Sequence, residues 1–183
     1  MRPFVLAALA VCACAGAPRS ASPYLAESAA ARDTARAEAL TKQAADLIES
    51  EPERAESMLR EALAADLFFG PAHNNLGVVF LERGDLYEAA NEFEWAKKLM
   101  PGHPDPRLNL GLTLDRAGQE DGALQEYTAA LEVYPGFLPA IQGLARLALA
   151  TGREEPRLLG WLETIALEGE TEEWRRWARS RLD

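Results

Sequence analysis

Apolar and small residues recur at helical spacing through the middle of the chain. Leu76 and Phe80 lie four residues apart, and Phe93 is followed three residues later by Ala96. Because residues three and four apart share one face of an α-helix, the pattern predicts two amphipathic helices. Gly84 falls between the two groups and predicts the turn that joins them into a hairpin.

This pattern repeats along the chain with a period of 34 residues. Residues 70–103 and 104–137 align without gaps, and the aligned positions share their identity, small size or aromatic character. The matching pairs are Asn75 and Asn109, Leu76 and Leu110, Gly77 and Gly111, Gly84 and Gly118, Ala89 and Ala123, Phe93 and Tyr127, Ala96 and Ala130, and Pro101 and Pro135. A fixed period of this length indicates a stacked helical repeat.

The sequence resembles the tetratricopeptide repeat (TPR), a helix–turn–helix unit of 34 residues. The resemblance implies an all-α fold, namely a right-handed α-solenoid of about four hairpins plus a C-terminal capping helix at 171–183. Residues 70–103 and 104–137 are the two clear repeats. A degenerate repeat is predicted at 138–170, and a divergent TPR-like hairpin at 24–69.

Three sites along the repeats predict how individual helices begin. Asp85 with Glu88 predicts a capping box at the start of the second helix of repeat 70–103. Asp105 predicts an N-cap for the next helix, which would begin at a first-turn proline. Thr171 predicts the N-cap of the capping helix.

The first residues predict an export signal. Arg2 precedes an apolar stretch from Phe4 to Val11, which is far shorter than the ~20 apolar residues of a membrane-spanning helix. A basic start, an apolar centre and small residues at the cleavage site are typical of a secretory signal. The sequence VCAC that ends at Cys14 resembles a bacterial lipobox. That resemblance implies that residues 1–13 are removed and that Cys14 carries a lipid.

The lipobox also implies a location for the mature protein. Residues 14–23 would form the lipidated cysteine and a flexible tether of small residues. No Asp follows Cys14, which under the Gram-negative sorting rule implies the outer membrane, facing the periplasm. The alternative is ordinary secretion with cleavage after Ala15 or Ala17, which would give a soluble secreted or periplasmic module without lipid.

Charge and cysteine content exclude two other classes of protein. The chain has 183 residues, with 29 acidic against 19 basic side chains and a net charge of −10. Nucleic-acid binding requires a basic face, so this balance argues against a nucleic-acid partner. Cys12 and Cys14 are the two cysteines, and both precede the repeats, so a disulfide framework is excluded.

The sequence contains none of the common catalytic motifs. HExxH, the phosphate-binding GxxxxGK[ST] and GxGxxG are all missing, and the serines lack a nucleophile elbow. His73 occupies a position where the repeat often has a bulky packing residue, and His103 lies in a turn between repeats. A metal site of these histidines with Asp105 is the weaker alternative, since they show no ligand spacing. We therefore expect a protein without catalytic activity, metal or cofactor.

The resemblance places the first helix of each repeat on a concave surface that suits an extended peptide or a short helix. The implied groove residues are Asn74, Asn75, Val78, Leu81, Glu82, Asp105, Leu108, Asn109, Leu112, Asp115, Arg116, Gln142, Arg146 and Leu149. Asn75 and Asn109 correspond to asparagines that hold a peptide backbone in the family. The apolar members of this set also fit core packing between neighbouring helices, and this alternative stays open.

We therefore expect a scaffold that binds a protein client and is attached to a membrane through its lipid. Lysine occurs only at positions 42, 97 and 98, so the paired lysines that clamp acidic chaperone tails are missing. An alanine-rich helix is predicted from about Tyr24 to Glu49. A second copy of the chain is an alternative partner for that helix, so a homo-oligomer stays open.

Overall fold

A computed structural model describes residues 32–182, and these residues contain nine α-helices and no strand. The predicted signal, Cys14 and the tether lie outside the described residues. Within them, no helix combines the length and the apolar character needed to cross a membrane. The helices are α1 (Thr34–Ala45), α2 (Pro52–Ala65), α3 (Gly70–Arg83), α4 (Leu86–Leu99), α5 (Asp105–Arg116), α6 (Glu120–Val133), α7 (Leu138–Thr151), α8 (Leu158–Glu168) and α9 (Glu172–Arg179).

The helices form a stack of hairpins, as the repeat predicts. Consecutive helices pair as α1 with α2, α3 with α4, α5 with α6 and α7 with α8, and α9 packs against α8. The first helices of the hairpins, α1, α3, α5 and α7, also contact one another in that order. The prediction of an all-α solenoid of four hairpins with a final helix is confirmed.

Glycine and aromatic residues make the closest contact within the central hairpins. A Cβ atom on Gly77 would lie 2.6 Å from Cε1 of Phe93, and one on Gly111 would lie 2.7 Å from Cδ1 of Tyr127. A Cβ atom on Gly143 would lie 2.8 Å from Cζ of Tyr127, so this ring also touches the following hairpin. The two helices of each hairpin approach this closely because glycine leaves room for the ring.

Glycine also ends the first helix of the hairpin at 70–99. Gly84 has a φ of 88°, in the left-handed region that L side chains rarely adopt. The amide of the following residue, Asp85, donates to the Phe80 carbonyl at 2.9 Å. This bond satisfies a carbonyl in the last turn of α3, as expected for a helix that ends at glycine.

The three predicted helix starts have different outcomes. The capping box is wrong, because Asp85 makes no side-chain cap and its carboxylate instead binds Arg83. The N-cap at Asp105 is wrong as well, since Pro104 precedes α5 and Asp105 is its first residue. Thr171 is confirmed as the N-cap of α9, because its hydroxyl accepts a hydrogen bond from the Trp174 amide at 3.2 Å.

The buried side chains form two clusters along the stack. One lies between α1 and α5 and contains Leu59, Leu76 and Phe93; the other runs from α6 to α9 around Tyr127 and Ile165. On α9, Ala178 is fully buried, and Trp174 and Trp177 are half-buried against the second cluster. The last helix therefore covers the end of the final hairpin.

Candidate functional site

The residues predicted to line a groove lie on α3, α5 and α7, which neighbour one another in the stack. Their exposure falls into three groups. The half-buried members are Asn74, Asn75, Val78, Leu108, Asn109, Leu112 and Asp115. The exposed members are Glu82, Asp105, Arg116, Arg146 and Leu149. Leu81 and Gln142 are buried.

The prediction that the groove side chains are accessible is wrong for two residues, Leu81 and Gln142. Leu81 is only 3% exposed and packs in the first core cluster, so it serves the core and not the groove. Gln142 is 5% exposed, and its Nε2 has no hydrogen-bond partner among the described residues. The alternative that apolar groove positions pack between neighbouring helices therefore holds for Leu81.

A short chain of amide hydrogen bonds links α3 to α5. Asn109 donates from Nδ2 to Oδ1 of Asn74 at 3.1 Å, and Asn74 donates to Oδ1 of Asn75 at 3.4 Å. The two asparagines predicted to hold a peptide backbone therefore belong to one chain of side chains. A carboxamide has two donor hydrogens and two acceptor lone pairs, so these bonds leave capacity for a ligand.

Charged and phenolic side chains meet where α5 faces α7. Arg146 binds the Asp115 carboxylate, and the Tyr127 hydroxyl donates to Oδ2 of Asp115 at 3.4 Å. Burial, reinforced by the negative charge of Asp115, raises the pKa of Tyr127 to about 12. The phenol therefore stays protonated near neutral pH and remains a donor to Asp115.

Next to this group lies a small cavity of about 170 Å³, here called the C-terminal cavity. It is lined by Leu108, Leu112, Tyr127, Pro139, Gln142, Gly143, Arg146 and Trp174. Four of these residues are among the predicted groove set. Trp174 belongs to the predicted capping helix, and the sequence does not show that this helix reaches the residues of α5 and α7.

A larger cavity of about 630 Å³ lies at the other end of the stack and is here called the N-terminal cavity. It is lined by Ile48, Glu49, Pro52, Glu53, Val78, Val79, Glu82 and Arg83. Val78 and Glu82 were predicted, whereas the four residues from the α1–α2 connection and the start of α2 were not.

His73 is held inside the fold by two acceptors. Its Nδ1 lies 2.6 Å from Oε2 of Glu92 and its Nε2 lies 2.9 Å from the Leu67 carbonyl, while the ring stacks on Trp95 at 5.9 Å. Burial opposes the charged form, but the hydrogen bonds to Glu92 and Leu67 and the charge of Glu92 outweigh it and raise the pKa of His73. In the charged form both ring nitrogens donate, one to each acceptor, and the ring packs against Trp95.

His103 lies exposed in the turn before α5, apart from His73. Across residues 32–182, His, Asp and Glu side chains form no group of three that could hold a metal ion. The structure thus does not bring together the residues of the weaker, metal-binding alternative.

Two comparisons with known proteins fit this architecture. A TPR repeat-containing protein of Pseudomonas aeruginosa is 37% identical over 89 residues, which cover 48% of this chain and 36% of that protein. The first TPR domain of Spaghetti (RPAP3), bound to the HSP90 peptide SRMEEVD, superimposes with a TM-score of 0.62 at 16% identity. It covers 66% of this chain and 96% of that one. The described residues have the fold of a TPR solenoid.

The TPR fold occurs both in peptide-binding domains and within an enzyme. TPR domains are generally protein–protein interaction modules that bind peptides. An O-GlcNAc transferase mutant of Thermobaculum terrenum also shares the fold, with a TM-score of 0.66, 24% identity, and coverage of 80% of this chain but 27% of that one. TPR solenoids therefore also occur within enzymes. This chain spans about a third of the length of the Pseudomonas protein. No protein-family model matches this chain.

Proposed function

We propose that this protein is a non-enzymatic adaptor of the bacterial cell envelope, anchored by a lipid and binding a peptide or helix of a client protein. The client would lie on the face formed by α3, α5 and α7. The observation that supports this best is the half-buried pair Leu108 and Leu112, which pack against the core clusters on one side and line the C-terminal cavity on the other. Half-buried apolar side chains beside an open cavity are typical of binding surfaces.

The charges on this face favour a client unlike the peptide of the Spaghetti complex. That peptide, SRMEEVD, has three acidic side chains. In this chain the three lysines lie at 42, 97 and 98, so none of them is on α3, α5 or α7. The arginines on these helices include Arg83 and Arg146, which already bind acidic side chains of the protein itself. We therefore propose a client that is not an acidic tail.

Client binding is tested by replacing the two leucines. Leu108→Glu with Leu112→Glu should remove the client from cross-linked, tagged full-length protein in its host membranes. The matched control is Leu159→Glu with Leu167→Glu, which adds the same charges at side chains that are 61% and 80% exposed on α8. The control should keep the client. Equal loss of the client in both variants, or loss in neither, would contradict the groove.

A second measurement keeps the test valid if the charged variant unfolds. A photo-activated cross-linking residue at position 112 should capture the client, whereas the same residue at 167 should not. Capture at both positions with equal yield would place the client elsewhere on the protein.

The lipid anchor is proposed from the VCAC sequence, and the outer membrane from the residue after Cys14. More than one buried acyl chain makes attachment effectively stable, since each buried CH₂ contributes about 0.8 kcal/mol. Cys14→Ser should therefore move the protein from the membrane fraction to the soluble fraction. A wild-type protein that is already soluble would instead support the secreted module without lipid.

A further inference from the structure

The N-terminal cavity combines an apolar floor with an acidic rim. Ile48, Val78 and Val79 supply aliphatic side chains, and Val79 is 2% exposed. Glu49 and Glu53 approach from the α1–α2 connection and the start of α2. Glu82 approaches from the last turn of α3, so carboxylates from separate hairpins surround the same space.

Arg83, the single cationic side chain in the cavity lining, is already paired with other carboxylates. Arg83 donates from Nη1 to Oε2 of Glu56 at 2.8 Å, and its Nε binds Asp85. Neither Glu56 nor Asp85 is part of the cavity lining. Arg83 therefore balances carboxylates outside the cavity and not those on its rim.

The rim carboxylates have little compensation from the described part of the chain. Glu49 and Glu53 form no ion pair with residues 32–182, and Glu82 lies 3.6 Å from Arg116 with its side chain 63% exposed. Like charges around one cavity create a negative potential that attracts cations. The apolar floor requires, in addition, a ligand with an aliphatic group.

We propose that the N-terminal cavity binds a cationic segment of the client, in which an aliphatic side chain fills the floor and flanking lysines or arginines meet Glu49, Glu53 and Glu82. This inference rests on the proposed function and adds the chemistry of its client. The cavity volume of about 630 Å³ lies in the range of ~300–1,000 Å³ typical of binding pockets. Charge complementarity of this kind sets partner choice and association rate.

The test begins with an unbiased library. A phage library of random peptides is selected on the full-length protein, and the retained peptides are synthesised with a fluorescent label and measured by anisotropy. We expect them to contain an aliphatic residue flanked by lysine or arginine. Replacing that aliphatic residue by serine should weaken binding, because the floor would lose its apolar ligand.

A variant that removes the negative charges of the cavity rim then locates the binding site. Glu49→Gln, Glu53→Gln and Glu82→Gln keep the size of the rim and remove its charge. Each exposed ion pair contributes about a twofold to fivefold effect on affinity, so the triple variant should weaken binding roughly 10–100-fold. The matched control replaces three exposed glutamates outside the cavity, Glu88, Glu132 and Glu154, by glutamine and should change affinity less than about twofold.

Each other result would overturn the inference in a recognisable way. Retained peptides that are acidic or uncharged would leave the groove function standing and refute the cationic client. Equal weakening by both triple variants would show diffuse attraction to an acidic protein instead of a site. Competition by a synthetic peptide of residues 14–31 would assign the cavity to the chain's own segment. Retention of no peptide would contradict the proposed function and this inference with it.

Discussion

The contact between Gly77 and Phe93 gives a quantitative test of why the repeat needs glycine at this position. A Cβ atom at residue 77 would lie 2.6, 2.8 and 2.9 Å from three atoms of the Phe93 ring. Carbon atoms in ordinary contact are about 3.5–4.0 Å apart. Phe93 is fully buried, so the ring has no solvent to move into. Gly77→Ala should therefore overpack the hairpin.

Two opposing effects determine the size of the change. Overpacking a core typically costs about 1–3 kcal/mol. Alanine is better than glycine in a helix interior by about 1 kcal/mol, which offsets part of that cost. Gly77→Ala alone should therefore lower the free energy of unfolding by about 0–2 kcal/mol, and a single variant does not separate the two effects.

A double-mutant cycle with Phe93→Leu separates them. Leucine removes the ring atoms that Cβ would meet, so Gly77→Ala should stabilise the Phe93→Leu background by about 1 kcal/mol through helix propensity alone. The coupling energy should then equal the overpacking cost of about 1–3 kcal/mol. Gly160→Ala is the matched control, because that helical glycine has no atom within 4 Å of its Cβ position. This control should stabilise the protein.

The assay is urea unfolding of the full-length variants, followed by circular dichroism, with a check that the dependence on urea is unchanged. Distant sites add within about 0.5 kcal/mol, which sets the threshold. A coupling energy below that value would show that the ring and the glycine do not restrict each other. The close approach of the two helices would then need another explanation.

Three further predictions concern single contacts. His73→Gln should lower the melting temperature most near pH 6 and less as pH rises. The pKa of His73 is raised in the folded protein, so its stabilising charge is fully present below about pH 6.5 and is lost as pH rises through that folded-state pKa. A difference in melting temperature that stays constant from pH 6 to 9 would refute this. Lys97→Met should cost about 1–3 kcal/mol in urea unfolding, since Glu126 would keep a charge that is only 18% exposed, and adding Glu126→Met should recover part of that loss. Thr171→Ala should raise amide hydrogen exchange in α9 about fivefold, whereas Thr171→Ser should leave it unchanged, because the cap contributes about 1 kcal/mol.

Much of the fold could be predicted because the residues that pack inside each hairpin recur at the same positions in both clear repeats. The glycines and aromatic rings that meet inside each hairpin occur in two aligned copies, so Gly77 with Phe93 and Gly111 with Tyr127 reinforce each other. The confirmed cap at Thr171 depends on residues three apart. Such local contacts need no knowledge of how distant helices meet.

The incorrect predictions involve contacts that the repeat pattern does not show, some of them local and some between distant helices. Asp85 has the residue type of a cap, but its carboxylate binds Arg83 across the turn. Leu81 has the spacing of a groove residue, yet it is buried in a core cluster that reaches from α1 to α5. The N-terminal cavity was missed for a related reason. Its rim joins Glu49 and Glu53 to Glu82, and the two sides are about one repeat apart in sequence.

The acidic side chains beside the two cavities differ in whether they are paired with cationic side chains, and this difference predicts the direction in which a client lies. At one end Asp115 is bound by Arg146 and by the Tyr127 hydroxyl. At the other end Glu49 and Glu53 form no ion pair with the described residues, and Arg83 beside them binds Glu56 and Asp85.

A client that spans both cavities should therefore place its cationic end beside the α1–α2 connection and its apolar part against Leu108 and Leu112. Selected peptides with a photo-reactive group at either end would check this orientation. The group at the cationic end should label residues near 49, and the group at the other end should label residues near 112. Labelling in the reverse order would mean that the rim carboxylates do not orient the client.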